Sequence, residues 1–283
     1  MPHILITILF SILLSSLWGQ QISLSSLREQ IFVPENEQRI FDLFDDLKLN
    51  SSDKERKELN DKIIEIFAEE LQNPASFSNP YTALDFIGKI VSDDGKVRIY
   101  TWNYPLTYKT HNYGGFIQYK VNNKNIKTIP LTIRNEAYLP ENNKRIPSND
   151  WYGALYYRII PVKLKKNTYY VLLGWAGNNA ASSYKLIDIL NFDEKLNATF
   201  GKMVLKQKNK IYQRFVLEYS AEAKVSLTYD DKIKKIVFDH LAPPDPVYTN
   251  VYSYYGPDFT YDAFGLQQGK WIFEENIDAK NKE

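Results

Sequence analysis

The pattern of hydrophobic and polar positions changes character twice along the 283 residues. From Ile4 to Leu17 the chain is almost entirely apolar, broken only by Thr7, Ser11, Ser15 and Ser16. That length suits the apolar core of a secretory signal and falls short of the roughly 18–20 residues that span a bilayer. Small residues occur in Ser15-Ser16-Leu17-Trp18-Gly19-Gln20-Gln21, so cleavage is expected after Gly19 or Gln20, with residues 1–19 as the signal.

A helical period comes next. Ile40, Leu43, Phe44 and Leu47 fall at i, i+3, i+4 and i+7, behind Pro34 and Glu35 as a helix start. Ser52 and Glu55 form a capping box, in which each side chain satisfies a free backbone N–H of the other. Leu59, Ile63, Ile66 and Phe67 then make one stripe, closed by Pro74. The link Lys48 to Ser51 is short enough for an antiparallel hairpin. Two such helices cannot bury their stripes alone, so the helical segment, residues 20–80, is expected to pack on the remainder of the chain.

From about Phe86 the period is two. Asp93-Asp94-Gly95 reads as a turn before a strand from Val97 to Trp102, and Asn122 to Asn125 joins strands Phe116–Val121 and Ile126–Leu131. Lys165-Lys166-Asn167 joins Tyr156–Leu164 to Tyr169–Trp175, and Tyr184–Leu190, Gly201–Lys206 and Ile211–Tyr219 come after them. Val225–Tyr229 and Ile233–Phe238 flank Asp230-Asp231, and Trp271–Glu274 ends the series. Few gaps are long enough for the crossover that a parallel pair needs. The pattern predicts an α+β, mainly β chain: an N-terminal helical hairpin packed on an antiparallel β meander over residues 85–278. That meander forms a sandwich or barrel-like sheet, with a small propeller as the alternative.

Composition narrows the function. The chain has no Cys, so a lipid on an N-terminal Cys, a thiol nucleophile, a thiolate metal site and a redox pair are all excluded. Net charge is +1, from 35 basic and 34 acidic residues, without the concentrated basic face of a nucleic-acid binder. The clusters Lys163-Lys165-Lys166 and Lys232-Lys234-Lys235 sit at hairpin turns, where charge blunts strand edges. No second stretch is long and apolar enough for a transmembrane segment. The expected product is a soluble protein, exported to the periplasm or beyond.

Candidate chemistry is sparse. His3 lies in the signal, and His111 and His240 each lack a second His or a carboxylate at ligand spacing, so no metal site is expected. Asp239 and His240 are neighbours in a strand and should point to opposite faces. Ser182-Ser183 has no nucleophile elbow, and Gly174 and Gly177 lack the residues of a phosphate loop, so no cofactor is expected. Asp93-Asp94, Asp230-Asp231 and Asp262 could serve carboxylate-based hydrolysis, although both pairs have turn roles.

Aromatic residues are the compositional excess, at 14% with 21 Tyr. Trp102, Trp175 and Trp271 fall at or near strand ends and suit core or rim packing. The segment Tyr248 to Phe264, after Pro243-Pro244-Asp245-Pro246, reads as a long aromatic loop suited to binding, or to plugging one end of the sheet. Candidate binding residues are Trp102, Trp175, Tyr252, Tyr254, Tyr255 and Tyr261. The leading expectation is a non-catalytic exported protein that binds a glycan or envelope component. The alternatives are an envelope hydrolase using carboxylates with His111 or His240, and a purely structural component.

Several segments together carry a resemblance. They are Ser92-Asp93-Asp94-Gly95-Lys96-Val97-Arg98-Ile99-Tyr100-Thr101-Trp102, Gly114-Gly115, Gln118-Tyr119, Tyr169 to Trp175, Tyr261-Asp262-Ala263-Phe264 and Gly269-Lys270-Trp271. Across residues 85–278 the chain resembles a set of exported β-rich proteins of Bacteroidota. The resemblance implies export and one β-rich body, and it supplies no catalytic residue.

Overall fold

The computed structural model describes residues 34–50, 52–107, 110–133, 142–165 and 167–278; the expected signal, 1–19, and the start of the helical segment lie outside them. Helix α1 (Glu35–Leu49) buries Ile40, Phe44 and Leu47, and α2 (Asp53–Glu70) buries Ile63 and Phe67. The Ser52 hydroxyl accepts from the Glu55 N–H at the start of α2. Asn36 at the head of α1 donates to Glu70 at the tail of α2, 3.1 Å, so the helices run antiparallel.

Their shared stripe lies on a four-stranded meander: β1 (Gly88–Val91), β2 (Val97–Pro105), β3 (His111–Lys120) and β4 (Ile126–Leu131). Tyr100, Trp102, Tyr104 and Phe116 meet the helices in one core. Gly114 stands opposite Trp102, and a Cβ there would fall 2.3 Å from the indole, so a glycine is what lets the ring lie across β3. Polar ties add to this packing: Gln118, fully buried, donates to the Leu71 carbonyl and the Ser76 hydroxyl, and Arg98 donates to the Phe77 carbonyl.

The second sheet holds β5 (Ile146–Pro147), β6 (Leu155–Leu164), β7 (Asn167–Gly177), β8 (Ser182–Phe192) and β9 (Ala198–Phe200), in the order β5-β9-β8-β7-β6. The third holds β10 (Leu205–Gln207), β11 (Lys210–Tyr212), β13 (Leu227–Asp230), β14 (Lys235–Ala242), β15 (Gly256–Gln267) and β16 (Lys270–Glu274), in the order β11-β10-β16-β15-β14-β13. Strand β12 (Phe215–Ser220) pairs with the first half of β8. Among the described strands, pairing is antiparallel except for β10 with β16, and the isolated Ile133–Trp151 bridge is also parallel.

The sheets stack. Leu186 and Leu190 of β8 enter the core shared with the first sheet, while Ile187 and Ile189 enter the core shared with the third. Strands β7 and β8 therefore read as near-continuous apolar runs, because both their faces are covered. The sheets hold four, six and six strands, and the turn signals that recur between them, such as Asp94-Gly95 and Asp230-Asp231, suggest a small propeller. Among the described residues, however, no apolar core joins the first sheet to the third, so the arrangement is layered.

Strand boundaries differ from the sequence pattern most clearly at three places. Gly201 to Val204 form a turn, with Gly201 at φ +103° and its N–H given to Ile189. The run Ile211–Tyr219 breaks between β11 and β12, because the Gln213 and Arg214 N–H groups both turn to the Asn142 carbonyl. The largest difference is β15: Gly256 to Gln267, within and beyond the expected loop, form a twelve-residue strand.

One polar cluster lies deep in the stack. Asp188 of β8 and Arg214 are both fully buried, with Nε to Oδ1 3.4 Å, and Arg214 also donates to the Lys144 carbonyl. The Tyr152 hydroxyl donates to Asp188, and burial followed by the Asp188 charge holds that phenol well above its ordinary pKa. Removing one member of a buried pair costs about 3–5 kcal/mol, because the other is left uncompensated. Arg214→Met should therefore lower the unfolding free energy by that order in urea titration. Asp188→Leu combined with Arg214→Met should recover most of the loss.

Candidate functional site

Strand direction gathers the candidate residues at one end of the stack. The C-terminal ends of β2, β7, β12 and β14 lie there with the N-terminal ends of β3, β8 and β15. Contacts join the layers at this end. His111 meets Trp175 edge to face at 5.5 Å, Gly177 N–H donates to the Tyr113 hydroxyl, and Ser220 N–H donates to the Tyr255 carbonyl at 2.9 Å.

The segment between β14 and β15 is an ordered aromatic loop. Asp245 accepts from Val247 N–H and starts one short 3-10 turn, Pro246–Tyr248; a second runs from Tyr252 to Tyr254. The Tyr248 and Tyr254 rings stack at 4.2 Å and 18°, and Tyr252 leans on Tyr255 at 5.0 Å. Tyr255 is the tie: its hydroxyl accepts from Asn250 N–H at 3.1 Å while its carbonyl holds β12. Val247, Val251, Tyr252 and Tyr254 are exposed, Tyr254 by 50%. Tyr261 stands on β15, opposite Asp239 and beyond the bulge, on a strand and not on the loop.

Next to the loop, β14 and β15 lose register. Asp239 faces Tyr261 and Leu241 faces Pro257, so Asp258, Phe259 and Thr260 stand opposite His240 alone. Asp258 Oδ1 accepts from the Thr260 N–H and hydroxyl, closing the bulge. Phe259 takes φ +69° and is 91% exposed. A bulky side chain in that conformation costs on the order of 1–3 kcal/mol, and such strain concentrates where a chain meets a ligand.

The bulge also creates a pair that strand alternation conceals. His240 Nδ1 lies 2.8 Å from Asp262 Oδ2, and the other Asp262 oxygen accepts from Asn276 N–H. The hydrogen bond to Asp262 raises the His240 pKa from its ordinary value, against partial desolvation. Asp239 turns away to Ser226 N–H. The two groups are 22 residues apart in sequence, and only cross-strand register could have joined them. No hydroxyl among the described residues is hydrogen-bonded to His240.

Asp93, Asp94 and Asp230 already have partners. Asp93 makes two bonds to Arg158, 3.2 and 3.1 Å, and Asp94 accepts from Ser92, Lys96 N–H and Tyr170. Asp230 accepts from Lys232 and Ile233 N–H groups. His111 bonds Asn103 at 3.0 Å, and burial lowers its pKa. Among the described residues, no three His, Asp or Glu side chains gather to hold a metal ion, and no helix is long and apolar enough to cross a membrane.

Trp102 and Trp175 lie elsewhere at this end, in a cleft of about 520 Å³ between α1, β2, β6 and β7. Trp102 is 2% exposed and donates its indole N–H to the buried Asn60 at 2.8 Å. Trp175 is half-buried. No protein-family model, curated protein or solved structure matches the chain.

Truncation should separate the buried aromatics from the exposed ones. Trp102→Ala should lower unfolding free energy by about 3–5 kcal/mol, the cost of a large core truncation, whereas Tyr254→Ala, which loses one half-exposed stacking contact, should lower it by no more than about 1.5 kcal/mol. For His240 the folded pKa is raised. Its support of the bulge is therefore fully present below the ordinary value of 6.5 and lost as pH rises through the folded value. NMR titration of His240 should show a pKa above 6.5 that Asp262→Asn returns toward it.

Proposed function

We propose that the chain is an exported, non-catalytic binding protein, acting in the periplasm or beyond, that recognises a glycan or envelope component through its aromatic end. The observation that carries this reading is the loop: stacked Tyr248 and Tyr254, with Tyr252 beside them, held open to solvent by its own hydrogen bonds. Rigid tyrosine faces suit the C–H faces of sugar rings, and a loop fixed on a sheet loses little freedom on binding. Commitment of Asp93 to Arg158, and of Asp94 and Asp230 to turns, further favours binding over hydrolysis. The apolar run from Ile4 to Leu17 supports export.

A glycan array, with isolated envelope polysaccharide as a second arm, tests the reading. The parent should bind a defined subset, and Tyr252→Ala with Tyr254→Ala should weaken that binding at least about tenfold, since each aromatic contact contributes roughly 0.5–1.5 kcal/mol beyond its buried area. Absence of binding by the parent, or full retention by the double variant, overturns it.

A further inference from the structure

The cleft on the helical side of this end has its own chemistry and does not depend on the aromatic loop. Its walls are Phe44, Phe86, Trp102, Leu155, Tyr157 and Trp175, and its volume of about 520 Å³ falls in the range of small-molecule sites. The charged side chains that line it are Lys48 and Arg56; no carboxylate does.

Both cations are positioned by the fold. Lys48 Nζ lies 4.2 Å over the Phe86 ring, which holds an otherwise flexible ammonium against the wall. Its partner Asp45, at 3.3 Å, is half exposed, and an exposed pair of that kind exchanges at little cost. Arg56 gives Nε to the Asn50 carbonyl at 2.7 Å and Nη1 to the Pro105 carbonyl at 3.0 Å, which fixes the guanidinium plane and leaves Nη2. Asp53 is 3.6 Å from Arg56, but both its oxygens accept from Thr107 N–H at 3.0 Å. That carboxylate keeps its charge and offsets part of the charge on Arg56, but it lies outside the lining, so the cleft surface itself presents only the two cations.

We infer that this cleft binds a small amphiphilic carboxylate, with its apolar body among the aromatic walls and its carboxylate at Lys48 and Arg56. Apolar lining alone would take a neutral chain equally well. The two cations, without an opposing acid in the lining, select the anion, and a cationic head group would meet them unfavourably.

Titration of the full chain with dansylamino-undecanoate, followed by dansyl fluorescence, tests the assignment. Laurate, dodecanol and dodecyltrimethylammonium serve as competitors below their micellar concentrations. Laurate should displace the probe about tenfold better than dodecanol, the size of one charge-assisted hydrogen bond, and the ammonium compound should be weakest. Arg56→Gln and Lys48→Gln should each weaken laurate at least about threefold without changing dodecanol, whereas Lys163→Gln, at a distant hairpin, should change neither. Leu155→Trp, which fills the cleft, should abolish probe binding. Circular dichroism confirms the fold of each variant, and Lys48→Gln, on an exposed side chain, keeps the test open if Arg56→Gln unfolds. Equal displacement by laurate and dodecanol, probe binding that survives Leu155→Trp, or no probe binding by the parent overturns the inference.

Discussion

Asp188 and Arg214 face each other without any access to water, at the point where β8 changes partner from β12 to β9. Strand β8 pairs with β12 as far as Ile187 and with β9 from Leu190, which leaves Asp188 in the gap. Arg214 immediately precedes β12 and falls opposite that gap. A buried ion pair is weak evidence for stability, because desolvation offsets much of the attraction. What it contributes here is register. Sliding β12 by one residue would withdraw Arg214 from Asp188 and turn its apolar side chains to the wrong core. The backbone reinforces this, since Arg214 also binds the chain just before β5 through Asn142 and Lys144.

The central sheet can tolerate a charge at its heart because everything around it is covered. Its two faces are sealed by different layers, and each outer sheet is then free to specialise. The first sheet takes the helices on its far face, with Trp102 and Asn60 as a polar lock inside an aromatic core. The third sheet leaves one end of β14 and β15 open, and there the bulge and loop form. Helical cleft and aromatic loop thus share an end because strand polarity is propagated from layer to layer, as the His111–Trp175 and Ser220–Tyr255 contacts show.

Much of this layering was legible in local pattern. The 3.6-residue stripe and the Ser52 cap marked both helices, and alternation with turn residues marked the hairpins around Asp93-Asp94, Asn122 to Asn125 and Asp230-Asp231. Local pattern failed where partners were remote. Pro257, Gly256 and the run of Asp and Thr made β15 look like a loop, yet its hydrogen bonds are supplied by β14 on one side and β16 on the other. His240 and Asp262 meet only because a bulge shifts their strands. The cleft draws on α1, β2, β6 and β7, and no window of sequence contains those segments together. Trp102 and Trp175, grouped with the tyrosines by composition, are separated from them by the fold.

The charges at the shared end divide as the surfaces do. Asp245, Asp258 and Asp262 lie along the aromatic loop and bulge, and the partner of His240 is one of them. Lys48 and Arg56 lie at the cleft. An anion drawn to the cleft would be repelled from the loop, while a neutral, hydroxyl-rich ligand would find acceptors there and no penalty. The strain at Phe259 fits the same division. Asp258 and Thr260 close the bulge, and the His240–Asp262–Asn276 chain braces the strands beneath it, so the ring is held outward at a fixed cost instead of collapsing onto the sheet. If both proposed surfaces bind as argued, a fold that maintains that cost on one face and two cations on the other would keep them from competing for one ligand.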